Sequence, residues 1–127
     1  MSEGARERAR RLAEAARSRN AENVVALEVG ALTSFADAFV LATAASDRQA
    51  RAVADAVSEA ARELGVEVLG TEGYEDGRWI LIDGGDVIVH VFVREAREHF
   101  DLDRLWGDAP RIALPEADAV ARGARAQ

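Results

Sequence analysis

The chain has 127 residues, of which 49% are apolar, and its formal net charge of −7 comes from 23 carboxylates against 16 basic residues, all of them Arg. At this length we expect one domain, and the acidic balance argues against binding nucleic acid through phosphates and favours docking on a basic protein surface. The absence of Cys excludes disulfides and Cys-based zinc sites. The apolar runs are too short for a membrane span and the N-terminus lacks a secretory signal, so we expect a cytoplasmic protein.

The first half of the chain predicts a helix, two strands and a second helix. Apolar residues recur at helical spacing over residues 3–19, and the apolar runs 24–29 and 38–44 predict strands. The second run is mostly apolar on both faces, which indicates a central position in a covered sheet. Ser46 and Gln49 have the spacing of a capping box, so a helix is expected to begin there.

A β-hairpin is the clearest feature of the second half. Two apolar, β-branched runs, 79–82 and 87–93, flank the four residues 83–86, which read Asp-Gly-Gly-Asp. The pair Gly84-Gly85 is typical of a tight turn, because both central positions of such a turn can require a positive φ. The segment therefore predicts two antiparallel strands.

Shorter elements are expected on either side of the hairpin. Residues 66–69 predict a short strand after the helix, and residues 95–100 predict one or two helical turns. A further helical stretch is predicted at 101–106, with Asp101 as its cap.

These elements predict an α/β fold: a mixed sheet of about five strands with flanking helices. A strand–helix–strand crossover over residues 38–69, followed by the hairpin, gives the sheet its mixed character. We expect the domain to span residues 1–110, because Pro110 ends regular structure. Residues 111–127 carry almost no large apolar side chains and are predicted to form a flexible tail.

The residue pattern gives little support to an enzyme. A nucleotidyltransferase would place two or three carboxylates on same-face strand positions to hold divalent ions. Asp101 and Asp103 have that spacing but fall in a helical stretch, and Asp83 and Asp86 lie on opposite arms of a turn. The chain has no phosphate-binding loop and no nucleophile beside a base. We therefore predict no catalytic residues and no metal site.

His90 and the two Trp residues each allow a structural and a functional interpretation. His90 alternates with Ile88 and Phe92, and a lone His on an apolar strand face is more often a satisfied core residue than a ligand. Core packing is likewise the default role of Trp79 and Trp106. However, aromatic side chains near Arg residues have the composition of an interface hot spot.

Three motifs, taken in order, resemble those of the ribosomal silencing factor family, also called the Iojap family. The first is Ser-Asp-Arg-Gln, beginning at Ser46. The second, beginning at Trp79, is W-x-L-x-D-x-G-D-x-x-V-H-x-F, and the third, beginning at Leu102, is L-x-x-L-W-x-D-A. The resemblance extends over residues 6–109. The chain departs from the usual pattern at Phe100, where Tyr is common, and at Ala38 and Gly84, where Tyr or Phe is frequent.

The resemblance implies a fold like that of nucleotidyltransferases but without their catalytic acids, and it implies no cofactor. It implies a cytoplasmic factor that binds the large ribosomal subunit through ribosomal protein L-fourteen, and that forms homodimers. Occupying that face would block joining of the small subunit and reduce translation in starvation or stationary phase. A large-subunit assembly factor that uses the same docking face remains an alternative, and a nucleotidyltransferase is a more distant one.

The family's shared positions also imply a docking face. Two of them, Ser46 and Gln49, are explained by the helix cap, and Leu105 is explained as a core residue. His90 is left open between a buried polar anchor and an interface contact. The residues predicted to bind the partner are Trp79, Asp83, Asp86, His90, Arg97 and Trp106.

Overall fold

The computed structural model describes residues 3–115, in which helices and the strands of one sheet follow each other along the chain. The helices in this range are α1 (Glu3–Arg17), α2 (Asp47–Glu63), α3 (Arg94–Phe100) and α4 (Leu102–Leu105). The strands are β1 (Glu22–Glu28), β2 (Ala38–Ala44), β3 (Gly70–Glu72), β4 (Trp79–Asp83), β5 (Val87–Val93) and β6 (Arg111–Ile112).

The strands form one mixed sheet in the order β3-β4-β5-β2-β1-β6. The central pair, β2 and β5, is parallel, and the other neighbouring pairs are antiparallel. Every residue of β2 is buried, which confirms the central position predicted for 38–44. The α/β class, the mixed sheet and the flanking helices are likewise confirmed. The likeness to nucleotidyltransferases stays a prediction.

Helices α1 and α2 cover one face of the sheet. Alternate residues of β2 and β5, such as Val40 and Val89, are fully buried in the same cluster as Leu12 of α1 and Val57 of α2. This cluster is the main core, and it leaves the intervening residues of each strand on the opposite face.

The predicted capping box at the start of α2 is confirmed, with one difference. The hydroxyl of Ser46 accepts the backbone N–H of Gln49 at 3.1 Å, but the Gln49 side chain accepts the N–H of Ala45, at 2.6 Å, instead of that of Ser46. The amide nitrogen of Gln49 also donates to the carbonyls of Arg19 and Asn20, both at 3.1 Å. The cap therefore ties α2 to the turn after α1.

The strand predicted at 66–69 is wrong. After α2 the backbone turns at Gly65, whose φ is +75°, and the N–H of Val66 still bonds back to the carbonyl of Ala61. Only the N–H of Leu69 reaches the sheet, at the carbonyl of Asp83. Pairing with β4 begins at Gly70, so the strand lies just C-terminal to the predicted stretch.

The prediction that regular structure ends at Pro110 is also wrong. Arg111 and Ile112 form β6 by pairing with Leu27 and Ala26 of β1, which makes the sheet six-stranded in place of the expected five. Ile112 is buried in the main core. The predicted boundary at 110 thus falls before the last strand, and residues 116–127 of the predicted tail lie outside the described residues.

Two details around α4 differ from expectation. Asp101 adopts a left-handed conformation (φ 49°) between α3 and α4, and its side chain makes no capping hydrogen bond. Leu105, predicted to be core, has 69% of its surface exposed.

The hairpin is confirmed, although of its Gly pair only Gly85 has a positive φ, +86°. With the turn as it stands here, a Cβ added at Gly84 would lie 2.9 Å from the carbonyl oxygen of Val87, so a larger residue would require the turn to shift.

Candidate functional site

The sheet face opposite α1 and α2, hereafter the open face, carries a continuous group of aromatic side chains. Strand alternation directs the side chains of Phe39, Trp79, His90 and Phe92 to this face. Its cover comes from the short helices α3 and α4 and from the loop between β1 and β2. These elements leave large apolar side chains in contact with solvent: Phe35 is 60% exposed, Phe100 43% and Leu105 69%.

The rings of the open face touch one another in sequence across three strands. The Phe39 centroid lies 5.1 Å from that of Trp106 and 4.9 Å from that of His90, both in edge-on geometry. Trp79 lies 5.9 Å from His90 and 4.5 Å from Phe100. Such contacts hold rings in fixed orientations. The two Trp residues that the sequence singles out are thus joined through Phe39 and His90.

His90 is buried, with 5% of its surface exposed, and is held by Trp79. The indole N–H of Trp79 donates to Nδ1 of His90 at 3.1 Å. Burial lowers the pKa of His90 from 6.5 to about 4, so the imidazole is neutral at pH 7. Because Nδ1 accepts a hydrogen bond, the ring proton must lie on Nε2.

Arg97 is a structural clamp at one border of the open face. Its Nε and one Nη bond the two carboxylate oxygens of Asp103 at 3.0 and 2.8 Å, and its other Nη bonds the Thr43 hydroxyl at 2.8 Å and the carbonyl of Asn23. The pKa of Asp103 is lowered chiefly by this hydrogen bonding to Arg97. The Arg97 side chain is only 12% exposed, so its bonding capacity is largely used within the protein.

The two predicted aspartates occupy the β4–β5 turn but point to different neighbours. Asp83 accepts the N–H of Gly85 at 2.9 Å, which holds the turn, and alternation along β4 places it on the same face as Trp79 and Leu81. Asp86 forms an ion pair with Arg8 of α1, the helix that covers the other face. Asp83 therefore borders the open face, whereas Asp86 ties the turn to α1.

The structure thus brings together four of the six predicted residues: Trp79, His90 and Trp106 in the ring group and Asp83 at its edge. Sequence reasoning missed four contributors to the same face, Phe35, Phe39, Leu81 and Glu72. The strand register places Leu81 and Glu72 on this face, because Leu81 pairs with His90 on one side and with Glu72 on the other. Phe39 lies in a strand whose residues are all buried, so only its register with β5 shows which face it occupies, and Phe35 lies in a loop that no periodicity marks.

The open face has little that could hold a metal or nucleotide. Among residues 3–115, no group of three His, Cys, Asp or Glu side chains could hold a metal ion. A polar groove of about 490 Å³ lies beside Arg97, but its arginines are matched by the carboxylates of Glu98, Asp101 and Asp103. No helix in the described part of the chain is long and apolar enough to cross a membrane. The arrangement suits recognition of a protein surface by aromatic and apolar side chains.

Comparisons with known proteins agree with the family resemblance that the three sequence motifs indicate. A family model described as "Ribosomal silencing factor during starvation" matches residues 2–127, which extends past the resemblance at 6–109. The ribosomal silencing factor RsfS of Halalkalibacterium halodurans is 44% identical over 96 residues, covering 76% of this chain and 82% of that protein. RsfS of Bacillus subtilis is 40% identical over 96 residues, covering 76% and 81%. The chloroplastic protein Iojap of Zea mays is 33% identical over 107 residues, covering 82% of this chain and 45% of that protein.

Solved structures show the same fold. A crystal structure of a protein from Chromobacterium violaceum superposes with a TM-score of 0.78 at 36% identity, covering 87% of this chain and 93% of that one. A crystal structure from Bacillus halodurans gives a TM-score of 0.71 at 39% identity, covering 81% and 94%. With the family model matched over nearly the whole sequence, the chain belongs to the ribosomal silencing factor family.

Proposed function

We propose that this protein represses translation by binding the large ribosomal subunit through ribosomal protein L-fourteen and sterically blocking the small subunit from joining. The family's description as a silencing factor during starvation supports a role when nutrients are short. The proposed action is regulatory and non-enzymatic, and its place is the cytoplasm, where ribosomes join.

The open face is the observation that carries this proposal. Phe35, Phe100 and Leu105 expose apolar surface next to the partly buried Trp79 and Trp106. Large apolar side chains grouped on one surface are typical of interaction sites, and Trp is the residue type most enriched in hot spots. We infer that Trp79, Trp106 and Asp83 contact the partner. Arg97 and Asp86 would support the face through the contacts they make within the chain.

The proposed mechanism is exclusion by mass action. A domain bound on the joining surface of the large subunit removes area that the small subunit needs. Free large subunits stay occupied as long as the concentration of the factor exceeds its dissociation constant. No chemical step is required, so the strength of repression would follow occupancy.

The first test mixes the purified protein with isolated large and small subunits and separates them on a sucrose gradient under joining conditions. We expect the protein to co-migrate with large subunits and the joined-ribosome peak to shrink. Co-migration without loss of that peak would favour an assembly factor that uses the same face. Migration apart from both subunits would contradict the proposal.

A pair of surface variants assigns the contact to the open face. Phe35→Ser and Leu105→Ser remove exposed apolar side chains at little cost to folding, and each is expected to weaken large-subunit binding by at least about fivefold. Tyr74→Ser is the matched control, because this side chain is also exposed but its hydroxyl donates to the Asp55 carboxylate of α2 at 3.0 Å, on the helical side of the molecule. Equal binding by the wild type and both open-face variants would mean that docking uses another surface.

We also propose a homodimer for the free protein. The same exposed apolar side chains would be removed from water in such a dimer, which would then compete with ribosome binding. Sedimentation of the wild type and of the Phe35→Ser and Leu105→Ser variants tests this: a dimer built on the open face should weaken in both variants. A dimer that is unaffected by either change would use a different surface.

A further inference from the structure

The hydrogen bonding of His90 is unequal on its two ring nitrogens. Nδ1 accepts the indole N–H of Trp79 at 3.1 Å. Among the described residues, Nε2 of His90 is the one buried side-chain nitrogen or oxygen without a hydrogen-bond partner. The ring lies nearly parallel to that of Phe92, at a centroid distance of 6.0 Å, and edge-on to that of Phe39.

An unsatisfied buried N–H is unfavourable for folding, so His90 is a poor choice if packing is its only role. A Phe at this position would fill the same space between rings and leave no unpaired donor. What a Phe could not do is accept the indole N–H of Trp79. Trp79 is only partly buried, and a free indole N–H can otherwise bond to water, so the bond constrains the orientation of a ring that borders the solvent.

We propose that His90 is a positioning residue of the docking surface: its Nδ1 fixes the indole of Trp79 in the orientation that a basic partner protein binds. This inference rests on the proposed function, since it assumes that the open face docks on the large subunit. It resolves the two roles left open for His90 in favour of a buried anchor that acts through Trp79.

Three substitutions separate the functions of the two ring nitrogens in the full-length protein. In His90→Asn the side-chain oxygen can take the place of Nδ1 and still accept from Trp79, whereas in His90→Gln the amide nitrogen takes the place of Nε2. His90→Phe removes both. The measurements are the dissociation constant for isolated large subunits, and the solvent-exchange protection of the Trp79 indole N–H by NMR in the free protein, with Trp106→Phe assigning the signal.

His90→Asn should retain the indole protection and bind large subunits within about twofold of wild type. His90→Phe and His90→Gln should lose the protection and bind about tenfold more weakly, although His90→Phe should unfold at a temperature no lower than wild type. Strong binding by His90→Gln with weak binding by His90→Asn would overturn the inference and make Nε2 a direct donor to the partner. Unchanged indole protection in His90→Phe would overturn it as well.

The two readouts keep this inference separable from the proposed function. If the wild-type protein fails to bind large subunits, the proposed function fails. The indole measurement then still decides on His90, because loss of protection in His90→Phe and its retention in His90→Asn show control of the Trp79 ring.

Discussion

The buried imidazole of His90, on the open face, makes the stability of the protein depend on pH. In the folded protein burial holds its pKa at about 4, against 6.5 in the absence of structure. At pH values between about 4 and 6.5, His90 binds a proton in the unfolded chain but not in the folded chain. The free energy of unfolding therefore falls as the pH drops from 6.5 towards 4, and the contribution is fully present only above 6.5.

We expect His90 to account for at most about 3 kcal/mol of acid destabilisation over this window. Urea unfolding of the wild type and of His90→Phe at pH 7 and pH 4.5 measures it. The variant has no group titrating at this position, so its stability should fall less across the same interval. Carboxylates such as Asp103 act equally in both proteins and cancel in the comparison. An identical loss in the two proteins would show that His90 is not buried as a neutral base.

At the scale of elements, Arg97 joins four parts of the chain. Its guanidinium lies on α3 and bonds Asp103 of α4, the Thr43 hydroxyl of β2 and the backbone of β1 at Asn23. Helices α3 and α4 have seven and four residues, too short to be stable alone. The clamp therefore helps to hold the helices that border the open face.

Arg97→Met keeps the apolar stem but removes every one of these bonds. We expect the free energy of unfolding to fall by about 2–4 kcal/mol, since Asp103 loses its charged partner in a half-buried position. Arg104→Met is the matched control, because Arg104 lies exposed on α4 and its replacement should change stability by less than about 0.5 kcal/mol. Equal stability of the two variants, measured by urea denaturation, would show that the Arg97 hydrogen bonds do not stabilise the fold.

Elements with strong local signals could be predicted from sequence. Helix α2 has a cap at Ser46 and an apolar stripe, and six of the seven residues of β2 are apolar, so local chemistry and tertiary structure agree there. Strands β3 and β6 could not be predicted, because they form by pairing with edges that the rest of the sheet provides. Residues 70–72 and 111–112 have little apolar periodicity of their own, and tertiary context decided their conformation.

The candidate site was predictable in part for the same reason. Trp79, Trp106 and His90 stand out as aromatic or titratable residues near strands, and the structure joins them. The link between them is Phe39, whose role depends on the parallel register of β2 with β5, a contact distant in sequence. Phe35 and Leu105 are functional candidates only because they are exposed, and exposure is a property of the whole fold.

At the scale of the whole molecule, the two faces of the sheet have different roles. One is sealed by α1 and α2 and supplies most of the core, while the other leaves aromatic rings near solvent. The sequence has a formal net charge of −7, and Glu72 and Asp83 place carboxylates along the β3–β4 side of the open face. An acidic surface with an apolar centre is complementary to a basic protein with apolar contacts.

This charge should govern how fast the protein meets its partner. Asp83→Asn removes a charge from the edge of the open face while the amide oxygen can still accept the N–H of Gly85, so the turn is preserved. We expect this variant to associate with large subunits about two- to fivefold more slowly at low salt. Glu63→Gln is the matched control: it removes the same charge from the end of α2, on the helical side.

Stopped-flow association measured from low salt to about 0.5 M should show the wild type and Asp83→Asn converging, because the Debye length shrinks from about 10 Å at 0.1 M to a few Å at high salt. Glu63→Gln should stay close to the wild type throughout, since α2 packs on the face of the sheet opposite the proposed docking surface. If both variants slow association equally, the effect is one of net charge. The acidic edge of the open face would then have no special part in docking.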